Sequence, residues 1–91
     1  MTYDEFESAS LAEGSDTVLV REWQPGQLVG EHTHPFAVKA LVVRGDFWLT
    51  CGGTDRHLQA GERFELPAGE PHTERYGPEG ATFWAARRHV A

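Results

Sequence analysis

His32 and His34 stand two residues apart in a run, Gln27–His34, that reads as a strand, so both imidazoles leave one face, as neighbouring ligands of one metal must. The same spacing is common on wet sheet surfaces, so the pair alone does not define a site. A third imidazole, His72, follows Pro67-Ala68-Gly69-Glu70-Pro71, a turn-rich segment able to hold one backbone geometry. Three histidines from neighbouring strands can meet inside a barrel. They would leave about one to three open positions on Zn, Mn, Fe or Ni, the pattern of a catalytic site rather than a closed structural one. The competing reading is a barrel without metal, in which the histidines are ordinary pocket residues.

The elements that would carry these residues are short. From Thr17 onward the apolar or alternating runs are Thr17–Gln24, Gln27–His34, Phe36–Arg44, Asp46–Cys51, Asp55–Gln59, Arg63–Leu66, Pro71–Tyr76 and Ala81–Arg88. Pro25-Gly26, Gly45-Asp46, Gly52-Gly53, Ala60-Gly61, Pro67-Ala68-Gly69 and Gly77-Pro78 separate them, each read as a chain reversal. Gly52-Gly53 fits a two-residue hairpin turn, which requires positive φ. Strands this short and this numerous predict an all-β sandwich or narrow barrel, nearly filled by side chains, with room for a small-molecule ligand in its mouth. Residues 1–16 read as an acidic arm or short helix, with Thr2 as N-cap and Gly14 as stop, and residues 17–91 as a single domain.

Composition narrows the function. With 91 residues, 40% hydrophobic and 24% charged, the chain is an ordinary globular domain with one core. Its net charge of −6 is concentrated in Asp4, Glu5, Glu7, Glu13 and Asp16, and no basic run exceeds Arg87-Arg88, so no nucleic-acid partner is expected. No stretch approaches the roughly 20 apolar residues of a membrane span, so no membrane partner is expected either. The first residues show no basic patch followed by an apolar core, and Cys51 is the single cysteine, which together predict a reducing, cytoplasmic setting.

Gly26, five residues, His32-Thr33-His34 and then Gly45 resemble the first motif of the cupin superfamily; Gly61, five residues and Pro67-Ala68-Gly69-Glu70-Pro71-His72 resemble the second. The resemblance runs from Gly26 to about Tyr76. It implies a jelly-roll barrel whose mouth holds a metal, bound by the histidines that fall on His32, His34 and His72, together with a glutamate of the first motif. That glutamate is missing: its place is taken by Val38, or by Lys39 if the spacing is counted with one extra residue, and Tyr76 stands at the second motif's asparagine position. Valine cannot ligate and a protonated lysine is a poor ligand. Glu74, two residues after His72 and so on the same side, is a replacement from another strand; water or substrate completing a three-histidine site is the other repair. The pairing of His34-Pro35-Phe36 with Pro71-His72-Thr73-Glu74 is similar to a subset of short cupins.

The remaining candidates read as structural. Lys39 is expected to face outward, Cys51 to be a small inert thiol, and His57 and His89 to lie on the surface, His89 near a fraying terminus. One member of each adjacent pair, Phe47-Trp48 and Phe83-Trp84, must face outward, which predicts a homodimer interface. The chain reads as a metal-binding cupin acting on a small chelating substrate by oxidation, isomerisation or lyase chemistry, with Glu74 or Tyr76 moving a proton. The alternative is a non-catalytic module that binds or senses a small molecule or metal. A third reading is a metal-free cupin such as a sugar epimerase.

Overall fold

The computed structural model describes residues 1–89. A single helix, α1 (Tyr3–Ala12), precedes six strands: β1 (Thr17–Trp23), β2 (Leu28–His32), β3 (Phe36–Cys51), β4 (Thr54–Gln59), β5 (Arg63–Leu66) and β6 (His72–His89). The helix begins as its sequence predicts. Thr2 accepts a hydrogen bond from the Glu5 amide while the Glu5 side chain accepts one from the Thr2 amide, a reciprocal capping box.

Two long antiparallel strands, β3 and β6, organise everything else. Their N- and C-terminal halves face different partners, so one continuous pairing serves two layers. The C-terminal half of β3 (Asp46–Cys51) lies between β4 and the start of β6, which continues to β2. The N-terminal half of β3 lies between β5 and the end of β6, which continues to β1. The inner faces meet in a core of Val38, Ala40, Val42, Phe47, Leu49, Leu58, Phe64, Leu66, Tyr76 and Phe83. This is the all-β jelly-roll barrel with a short N-terminal helix that the sequence predicts.

Two predicted reversals are instead corners. The runs Phe36–Arg44 and Asp46–Cys51 are one strand, as are Pro71–Tyr76 and Ala81–Arg88, apart from Pro71, which precedes β6. Between Gly45↔Ala81 and Phe47↔Tyr76 the register jumps, so that Asp46 stands opposite a bulge containing Gly77-Pro78-Glu79-Gly80. Arg44 anchors that bulge by donating to the Glu79 carbonyl and to Thr82 Oγ1. Gly45 has φ 71°, and a Cβ there would meet the Gly80 carbonyl oxygen at 2.0 Å, so glycine is required by close approach rather than by reversal. At Gly52-Gly53 the predicted hairpin does form, with φ 58° and 79°.

Helix α1 lies over the outer face of the second layer. Phe6 packs with Leu41 and Ala86, and Trp84 is covered by Tyr3 and Phe6 at ring separations of 5.5 and 5.8 Å. The other outward tryptophan, Trp48, stacks flat on His57 at 4.2 Å and carries the Arg75 guanidinium at 4.2 Å from its centroid. Both outward tryptophans are thus partly covered within the chain and remain partly exposed. His89 is not frayed: it closes β6 opposite Phe36, and its amide donates to Asp16.

Candidate metal centre

The three histidines are brought together. His32 ends β2 and pairs directly with His72 at the start of β6. His34 lies beyond the end of β2, so strand alternation does not place it, contrary to the expected strand through His34. The ladder is already irregular between Val29 and His32. What holds His34 is its own carbonyl, which accepts from the Gly69 amide in the turn before His72. One potential ligand atom from each histidine lies within 4.8 Å of the others.

Ring orientation is set from behind. His32 Nδ1 lies 2.8 Å from the Gly30 carbonyl and His72 Nδ1 2.9 Å from the Glu70 carbonyl. A carbonyl accepts only, so each Nδ1 carries a proton, and in the neutral ring Nε2 is then the nitrogen with the lone pair, the tautomer a metal ligand needs. His72 Nε2 is buried and has no hydrogen-bond partner among the described residues. A buried nitrogen left unpaired costs stability unless something else binds it. The donor set therefore fits a divalent transition metal on this structure's own terms.

His34 is held well below the ordinary histidine value, at about 4, first by burial and then by the neighbouring His72 and His32 and the arginines Arg87 and Arg21. It is neutral near pH 7, as a ligand must be.

Glu74 joins the cluster. It is 8% exposed, with Oε2 3.4 Å from His32 Nε2 and 3.7 Å from His72 Nε2, while Oε1 accepts a hydrogen bond from the Tyr76 hydroxyl. Tyr76 is itself buried, stacked between Trp23 and Phe47 at 5.0 Å from each, and does not line the cavity. Burial, and then the Glu74 carboxylate, raise its hydroxyl far above the usual phenol range, so it stays a donor. Of the two residues at the place of the missing glutamate, Val38 faces the cavity, whereas Lys39 points to solvent between Glu13 and Glu65. The carboxylate beside the histidines thus comes from β6, not from β3.

The cluster opens on a cavity of about 300 Å³, whose walls include Trp23, Phe36, Leu49, Phe64 and Phe83. Arg21 and Arg87 also line it, and sequence reasoning missed both. The available signal was alternation: Arg21 follows Leu19 and precedes Trp23 on one face of β1, and Arg87 continues the inward row Phe83, Ala85. The Cys51 thiol, only partly buried, donates to Glu70 at 3.1 Å, and that hydrogen bond, with desolvation, raises its pKa. His57 is a partly exposed residue 2.6 Å from Asp46.

Residues 16–87 match the family described as the AraC-like ligand binding domain. The chain belongs to that family, within the cupins. Solved structures agree on the fold. This cupin is 24% identical to a protein of unknown function from Rhizobium leguminosarum, with a TM-score of 0.76 over 81% of this chain and 70% of the other. A conserved double-stranded β-helix protein from Klebsiella pneumoniae is 27% identical, with a TM-score of 0.69 over 82% and 68%. The DMSP lyase DddQ from Ruegeria pomeroyi is 22% identical, with a TM-score of 0.72; the cupin is covered over 78% but spans 36% of that enzyme. No curated protein matches the chain. Among its described residues no helix is long and apolar enough to cross a membrane.

Proposed function

We propose that the chain is a metal-dependent cupin enzyme acting on a small polar molecule that chelates the ion through two oxygens. His32, His34 and His72 hold the metal, and Glu74 either completes the ligand set or accepts a proton from substrate beside it. When bound, a divalent metal would supply Lewis-acid polarisation of a substrate oxygen. Tyr76 fixes Glu74 by donating to Oε1, which leaves Oε2 aimed at the histidines. The apolar walls limit water around that carboxylate and favour proton transfer to or from the substrate.

One observation carries this reading: the buried Nε2 of His72, without a hydrogen-bond partner among the described residues, in a cluster where the Nδ1 atoms of His32 and His72 are tied to carbonyls. Elemental analysis of protein purified without a chelating tag tests it. About one transition metal per chain is expected, lost in His72→Ala; well under one in the parent protein overturns the reading.

The family match favours a second reading, a module that binds or senses a ligand in the same cavity without turning it over. Turnover of a chelating substrate that disappears in His32→Ala separates the two.

A further inference from the structure

The chain carries a net charge of −6, yet its cavity is lined by two arginines. Arg21 and Arg87 come from the inward rows of β1 and β6, the neighbouring strands of one layer. Neither guanidinium has a carboxylate within ion-pair distance among the described residues, although acids outnumber bases in the chain by 14 to 8. Both are held by aromatic faces instead: Arg21 over Trp23 at 4.7 Å and Arg87 over Phe36 at 4.5 Å. Phe36 in turn stacks on His34, with ring centroids 4.9 Å apart. Two like charges thus line one partly buried cavity with no counter-ion among the described residues. Trp23, on the same wall, adds a buried Nε1–H with no acceptor. Every unsatisfied group on this side of the cavity is therefore a donor or a cation.

We infer that the cavity selects a small organic carboxylate, its anionic end held by the guanidinium forks of Arg21 and Arg87 and its other end directed to the histidine cluster. A planar fork matches a carboxylate bidentately, and a site of about 300 Å³ with apolar walls takes only a small molecule. The inference rests on the metal-cupin reading and adds the class of substrate to it. Arg21 and Arg87 are binding residues and take no part in holding the metal.

The test is a fluorescence titration, with Trp23 in the cavity wall as reporter, of the protein with and without bound metal. The probes are acetate, propionate, succinate and benzoate, each against its own amide. At least one carboxylate is expected to bind about tenfold or more tighter than its amide, with that preference lost in Arg21→Gln and in Arg87→Gln while metal content stays at the parent level. Binding of none of the four acids at millimolar concentration overturns the inference, as does equal binding of acids and amides. The contrast between acid and amide is read on the parent protein, so it survives a variant that fails to fold. A carboxylate preference in protein that holds no metal leaves the anion site standing and removes the metal reading; metal without the preference does the reverse.

Discussion

The two ends of the barrel interior are built on the same strands and obey opposite rules. At the closed end, Val42, Phe47 and Leu58 are all but sealed from solvent, and Phe47 contacts Phe64, Tyr76 and Phe83 ring to ring. At the open end, His72 and Glu74 on β6 are also buried but polar, and one ring nitrogen has no hydrogen-bond partner among the described residues. The closed end stabilises the fold; the open end holds groups that the fold does not satisfy. Tyr76 joins the two, its ring in the aromatic stack and its hydroxyl on Glu74. The difference locates function where burial is not matched by pairing.

The strongest way to sharpen the contrast is Phe47→Ala, which removes the centre of the aromatic stack and is expected to lower stability by about 3–5 kcal/mol in denaturant unfolding. Tyr76→Phe keeps the ring but frees Glu74 Oε1; a loss of about 1–3 kcal/mol is expected, together with a fall in turnover at retained metal content. His72→Leu, as buried as Phe47, is expected to change the stability of the metal-free protein by less than about 1 kcal/mol, because the lost Nδ1 hydrogen bond is offset by removal of the unpaired Nε2. A loss as large as that of Phe47→Ala would break the comparison.

The smallest effect is on pH dependence. His34 has a folded value of about 4 against an ordinary 6.5, so between these values the unfolded chain binds a proton that the folded chain does not. Its contribution is present above pH 6.5 and is lost as pH falls through 4. In metal-free protein the His34 ring resonances should titrate near 4, and His34→Gln should flatten this part of the acid limb. Titration near 6.5 would show that the cluster does not crowd this ring.

Much of this was legible early because the relevant signals are local. The capping box of Thr2 and Glu5, the Gly52-Gly53 hairpin and the histidine and glycine spacings are set within a few residues of chain. The corners at Gly45 and Gly77 read as reversals in the sequence because close packing, and at Gly45 positive φ as well, calls for glycine in a bulge as much as in a turn. Arg21 and Arg87 are less legible for a related reason: they are 66 positions apart and line one cavity only through the pairing of β1 with β6.

The amino-acid order alone singled out the three imidazoles that the fold brings together and the first-motif position at which a carboxylate is absent, since both are matters of residue type at fixed spacing. Only the folded chain decided that Val38 rather than Lys39 faces the cavity, that Glu74 reaches the histidines from β6, and that two guanidinia with no carboxylate partner among the described residues line the same cavity. Those outcomes depend on register between strands distant in sequence, and a shift of one residue in either would turn the same side chains to solvent.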